Sequence, residues 1–361
     1  MRFSPMSWEI ACLACPGKPV PVCGSRRVKR GKTFLCRSAF HYLHVALCRR
    51  CVDVVQTFLL RATVNFCWGK VRKNLSRLFE EYDESKGGLP KGNTVDTLCD
   101  TVAIVTGASR GIGNAIARRF AAEGASVVVT ARTMRAGESK FTGSLEETVA
   151  QIEAVGGTTA PIVADLSVEE DRERLVAEAE RLYGQVDILV NNAAVTFFRP
   201  VADFSMNRFH LMMEVQVASA FDLSQRVLPG MLARERGWIL QVSSLAARHP
   251  QGPPYLFQIG GGGTVYGMCK AALERFTTGL ASEVYDKGIA VNCLSPSGVV
   301  ATPGVMHHKL IPAGMEEHAE PVEAMADAAL SLCSGDPKKM TGKVVYSLSH
   351  LAEMGIEPQP L

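Results

Sequence analysis

Apolar positions fall into two alternating patterns along the chain. Short runs of Val, Ile, Leu and Ala with little polar alternation predict strands at Val102–Thr106, Ser126–Thr130, Pro161–Ala164, Asp187–Asn191, Trp238–Ser243, Ile289–Leu294 and Lys343–Ser347. Longer stretches at helical spacing lie between them, at Ile112–Ala122, Leu145–Ala154, Val168–Tyr183, Met206–Leu232, Val265–Tyr285 and Val322–Leu332. Strands without a polar face are buried on both sides, and this alternation predicts a doubly wound parallel sheet of about seven strands wrapped by helices. The expected class is α/β, in one domain over residues 96–361.

Charge and cysteine set the first 95 residues apart. The whole chain of 361 residues carries a net +3, but residues 1–95 hold 17 Lys/Arg against 6 Asp/Glu. Seven of the 11 cysteines also lie before residue 70. Cys12, Cys15, Cys48 and Cys51, with Cys23 and Cys36 between, have the makings of a zinc site, although the 32-residue gap exceeds that of common zinc ribbons. The basic charge could attract nucleic acid or anionic lipid, but aromatic residues are sparse. The segment is expected to be a poorly ordered, basic, Cys-rich extension, either a targeting piece or a wrongly assigned start. No nucleic-acid or membrane partner is expected, and no run of 18 apolar residues exists. An odd number of cysteines points to reduced thiols and a cytoplasmic setting, with the Arg content leaving a mitochondrial one open.

Chemistry enters at the end of the first predicted strand. Thr106–Gly113 reads TGASRGIG and opens a helix. Gly107, Gly111 and Gly113 let backbone approach a pyrophosphate, and Ser109, Arg110 and Ile112 place N–H groups of the turn and helix start toward it. This is a Rossmann-type dinucleotide turn. The second strand ends Thr130–Ala131–Arg132 with no carboxylate for a ribose 2′-hydroxyl. Arg110 and Arg132 instead suit a 2′-phosphate, favouring NADP(H) over NAD(H). Asp165 and Leu166 end the third strand, where a carboxylate could accept from an adenine amino group. Asn192 and Ala193 leave room for the cofactor to cross, and Asn191 serves either there or as a structural tie.

Tyr266 and Lys270 stand four apart on a helical pattern, hence on one face. A phenol titrates near pH 10, and a neighbouring ammonium and a nicotinamide cation would lower it into a usable acid/base. Ser243 and Ser244 end the fifth strand, where ligands bind in open parallel sheets. Ser244 is expected to hold the substrate oxygen, and Ser243 to cap the next segment.

TGASRGIG, Asn191–Ala194 (NNAA), a strand-end Ser and Tyr266-x-x-x-Lys270, in that order, resemble the short-chain dehydrogenase/reductase family over roughly residues 98–350, leaving the head unmatched. The resemblance implies carbonyl/alcohol interconversion by hydride transfer. It makes Tyr266 the proton donor or base, Lys270 the group that tunes Tyr266 and holds the nicotinamide ribose, and Ser244 the carbonyl-positioning residue. Val299 or Val300, with Thr302, would meet the carboxamide. It also implies a homodimer or homotetramer built through the two long middle helices, near Phe209–Leu223 and Ala271–Leu280, and a small-molecule substrate.

The chain departs from the family pattern in three places. Gln216 replaces the Asn that supports a water-mediated proton path to the Lys. The interval from Ser244 to Tyr266 is about ten residues longer than usual. Those residues, around Gln251–Gly263, form either a wall carrying Tyr255 and Phe257 or a solvent loop. The turn Pro296–Ser297–Gly298 is one residue longer, before a substrate lid expected at Thr302–Pro321. His307 and His308 are expected at the surface, and no metal site is expected. The rival reading is a cofactor-binding sensor or scaffold with weak or no turnover.

Overall fold

The computed structural model describes residues 97–253, 255, 262–311 and 319–361. The proposed zinc cysteines and the rest of the extension lie outside the described residues, as do Phe257 and much of the expected lid. Among the described residues no helix is long and apolar enough to cross a membrane.

Seven strands form one parallel sheet: β1 (Val102–Thr106), β2 (Ser126–Ala131), β3 (Thr158–Val163), β4 (Ile188–Asn191), β5 (Gly237–Val242), β6 (Ile289–Ser295) and β7 (Val344–Tyr346), in the order β3-β2-β1-β4-β5-β6-β7. All five residues of β1 are buried, as are all six of β5 and all seven of β6. Their largely apolar runs therefore meet helices on both faces. On one face α1 (Gly111–Ala122), α2 (Leu145–Ala154) and α8 (Val322–Ser334) bury Ile116, Phe120, Ile152 and Met325. On the other, α3 (Glu169–Tyr183), α5 (Ser219–Arg234) and α6 (Thr264–Glu283) bury Leu175, Leu223, Val227 and Leu280. Each such side chain stabilises the fold by about 1.5–3 kcal/mol on leaving water.

The chain runs from β1 outward to β3 and returns to β4 on the other side of β1. That reversal opens a crevice above the carboxyl ends of β1 and β4, where ligands of such sheets bind.

Four elements depart from expectation. The third strand runs Thr158–Val163 rather than Pro161–Ala164. It is the sheet's edge, so it is partly exposed, lacks an apolar run at its start and tolerates Pro161 in its middle. The single helix expected at Met206–Leu232 is α4 (Met206–Met213) and α5 joined by a π-turn at Glu214–Ala218. Two further helices, α7 (Pro303–His307) and α9 (Ser347–Met354), occupy segments that showed no helical pattern.

Candidate active site

The phosphate turn is shaped by what cannot fit in it. Gly107 and Gly111 adopt φ of +65° and +56°. A Cβ on Gly113 would lie 2.4 Å from the Gly107 carbonyl oxygen and 2.5 Å from Asn192 Nδ2. The turn is tied to the next strand: Asn192 Nδ2 donates to the Thr106 carbonyl at 2.8 Å, and the backbone N–H groups of Asn192 and Ala193 donate to Thr106 Oγ1. The structural tie thus belongs to Asn192, while Asn191 makes only long contacts to Ala220 and Ser224. Unlike α2, which is capped by Ser144, α1 has no side-chain cap and no acid in its first turn. Its open positive end and the glycine cradle fit a dinucleotide diphosphate.

Arg110 donates to Ser139 Oγ at 3.2 Å and to the Gly143 carbonyl at 3.0 Å. Burial lowers its pKa, and nearby Arg132 lowers it further against the pull of Glu147. Two guanidiniums that repel each other here suit a multiply charged anion. Ser109 is buried beside Arg110, and Ile112 is half-buried on α1. The Asp165 carboxylate accepts from Ser167 N–H and Oγ, and the Leu166 carbonyl accepts from Arg172, so both sites expected at the adenine already hold protein partners.

At the other end of the crevice Tyr266, Lys270 and Ser244 converge. Ser244 lies close enough to Tyr266 to favour the phenolate, and Lys270 Nζ stands 5.6 Å from the Tyr266 ring centroid. Lys270 is buried, donates to the Val242 carbonyl at 2.9 Å, and is lowered to about 8 by that burial. Tyr266 is pushed up by burial, with Ser244 opposing. The depression expected from the ammonium is absent: Lys270 gives its hydrogen bond to the Val242 carbonyl at the tip of β5. The cap expected of Ser243 is made by Ser244 instead. Ser244 Oγ accepts from Ala246 N–H and caps the next turn, whereas Ser243 Oγ donates to Glu274 Oε1 at 3.0 Å.

Gln216 lies in the π-turn, buried, with Nε2 donating to the Val195 carbonyl at 2.8 Å and Oε1 meeting no donor among the described residues. The longer side chain still reaches the loop after β4. Of the two valines left open, Val299 is 42% exposed, whereas Val300 is buried and lines a groove with Gly111 and Thr302. Tyr255 is exposed, so it forms no closed wall.

Sequence reasoning missed two residues here. Phe198 meets Tyr266 edge-on at 5.7 Å; the Phe197–Phe198 pair just after the fourth strand was the available signal. Glu320 accepts from Gly298 N–H at 2.7 Å and so fixes the Pro296–Gly298 turn, but 22 residues separate the partners and no local pattern marks the pair.

A family model described as "short chain dehydrogenase" matches residues 101–310. The chain is a member of the short-chain dehydrogenases. As such it is an NAD(P)-dependent oxidoreductase acting on CH–OH groups. This short-chain dehydrogenase is 35% identical over 280 residues to dehydrogenase/reductase SDR family member 4 of Bos taurus, covering 73% of this chain and 92% of that protein. It resembles a crystal structure of a short chain dehydrogenase from Mycobacterium thermoresistibile, at 31% identity and a TM-score of 0.62, covering 72% of this chain and 89% of that one. A 3-oxoacyl (acyl-carrier-protein) reductase from Agrobacterium tumefaciens with NADP bound aligns at 29% identity and a TM-score of 0.60, over 73% and 98% of the two chains.

Proposed function

We propose that this short-chain dehydrogenase interconverts a carbonyl and an alcohol on an apolar small molecule, with NADP(H) as its partner and Tyr266 as acid/base. The observation that carries the reading is the convergence of Ser244, Tyr266 and Lys270 at the carboxyl ends of the strands, where the glycine turn also lies. When bound, the nicotinamide supplies or accepts the hydride. In reduction Tyr266 gives its proton to the substrate oxygen, and Ser244 holds that oxygen in place. In oxidation Tyr266 takes the proton back. Lys270, with N–H groups left beyond its bond to Val242, would hold the ribose. Gln216 Oε1 offers an acceptor for a water-mediated path toward Lys270. Gly107, Gly111 and Gly113 would hold the diphosphate, and Val300 and Thr302 the carboxamide.

An apolar substrate is supported by the apolar surroundings of Tyr266, which packs into one cluster with Val195, Phe197, Phe204, Phe209, Met213 and Val217. The reduced thiols Cys269, Cys293 and Cys333, all buried, suit a cytoplasmic setting.

The preference for NADP(H) is supported by Arg110 and Arg132. The double variant Arg110→Ala/Arg132→Ala is expected to lose NADPH affinity about 10²–10⁴-fold, since it removes two charge-assisted bonds of about 1.5–3 kcal/mol each, while NADH affinity stays within a few-fold. Titration of nucleotide fluorescence checks this, and equal NADPH and NADH affinities in the native chain would overturn the preference. Silence across a panel of apolar ketones and aldehydes, with NADPH binding confirmed, would overturn the enzymatic reading.

A homo-oligomer built on α5 and α6 is supported by their exposed apolar side chains, Phe221 at 52% and Met268 at 49%. Phe221→Asp is expected to shift the chain toward monomer in light scattering; an unchanged mass would reject this face.

A further inference from the structure

A run of rings and cations crosses from the phosphate turn to Tyr266. It begins at loop 139–143, between β2 and α2, which is locked onto the turn. Arg110 holds both ends of that loop, and Gly143, at φ +94°, comes so close that a Cβ there would lie 2.6 Å from the Ser109 carbonyl oxygen. Phe141, inside the loop, carries the Arg110 guanidinium 5.4 Å and Lys140 Nζ 5.0 Å from its ring centroid. Phe141 also meets His307, the last residue of α7, edge-on at 5.1 Å. Lys140 Nζ lies 3.4 Å from His307 Nε2. His307 contacts His308, which contacts Phe198, which contacts Tyr266.

Charge is unbalanced along the first half of this run. Arg110, Arg132, Lys140, His307 and His308 gather there, and among the described residues no ion pair engages Arg110, Arg132 or Lys140. Glu147 acts on Arg110 from α2, and the Glu138 carboxylate accepts from the Arg135 N–H. Burial holds His308 below its ordinary pKa, and the charges of His307 and Lys140 add to that. Cations crowded against rings rather than carboxylates are stabilised when an anion enters among them.

We propose that Lys140 and His307 form a second phosphate-binding element of the cofactor site, with Phe141 as the platform that sets their spacing. This rests on the reading of the chain as an NADP(H) enzyme. The group bound is a cofactor phosphate, either the 2′-phosphate or the diphosphate. Both groups come from segments outside the glycine turn, so the element would clasp the nucleotide from the opposite side.

The test is a binding measurement on the full chain without substrate, using NADPH and NADH fluorescence and calorimetry. Lys140→Gln and His307→Gln keep side-chain size at exposed positions, so folding is expected to survive, as thermal melting would verify. Each is expected to weaken NADPH about fivefold or more. Unchanged NADH affinity would place the contact on the 2′-phosphate, and an equal loss of NADH would place it on the diphosphate. Both results support the element. It is overturned if both variants bind both nucleotides within twofold of the native chain while Arg110→Ala still loses NADPH. If Arg110→Ala also binds NADPH normally, the NADP(H) reading itself has failed, and the element falls with it.

Discussion

Replacing Tyr266 by Phe is expected to lower kcat by about 10²–10⁴ while leaving NADPH affinity within a few-fold. Phe keeps the ring and its contacts with Phe198 and Lys270, and loses only the hydroxyl that Ser244 engages. Binding without turnover therefore separates proton transfer from cofactor capture. Burial pushes the Tyr266 phenol up, which moves the pH dependence of the native chain to higher pH, while the role of the phenol sets its sign. Reduction needs the protonated phenol, so its rate falls as pH rises through that group. Oxidation needs the phenolate, so its rate rises. Both dependences should vanish in the variant. Steady-state kinetics with nucleotide titration alongside would decide, and native turnover by Tyr266→Phe would end the acid/base role.

The second large effect is expected at Gly113. Gly113→Ala puts a methyl group 2.4 Å from the Gly107 carbonyl oxygen and 2.5 Å from Asn192 Nδ2. Neither neighbour can yield cheaply. One is backbone of the phosphate turn, and the other ties that turn to β4 through the Thr106 carbonyl. Helix and turn must separate, at about 1–3 kcal/mol of overpacking, and the N–H groups that would meet the diphosphate are displaced. NADPH affinity is expected to fall at least about tenfold, with a lower melting temperature. Gly335→Ala, whose Cβ would find only ordinary contacts at 3.5 Å and beyond, is the control for a bare glycine-to-alanine change. Native NADPH affinity in Gly113→Ala would reject the cradle.

How legible the molecule was depended on the range of the interactions involved. The seven strands could be read because a strand buried on both faces writes its burial directly into a run of Val and Ile, as in β1 and β6. The edge strand β3 lost its first three residues for the opposite reason, since one side of it packs against nothing in the sheet. The grouping of Ser244, Tyr266 and Lys270 could be inferred from a strand end and an i,i+4 spacing, which place groups with little help from the rest of the chain. Details of hydrogen bonding could not. Which serine caps and which one tethers depends on Glu274, 31 residues from Ser243. The direction of the Lys270 ammonium depends on the Val242 carbonyl, 28 residues away. Phe141 and His307 meet across 166 positions, and no periodicity anticipates such a contact.

The π-turn at Glu214–Ala218 gives one long rod two separate jobs. Each residue of a regular helix advances the side chains by about 100°, so an added residue swings everything after it around the axis. Met212, before the turn, packs with Val265 and Cys269 of α6, whereas Leu223, Val227 and Met231, after it, face the sheet. Removing a single residue from this stretch would straighten the rod and pull one of those two stripes off its target, so its length is under tighter constraint than its composition.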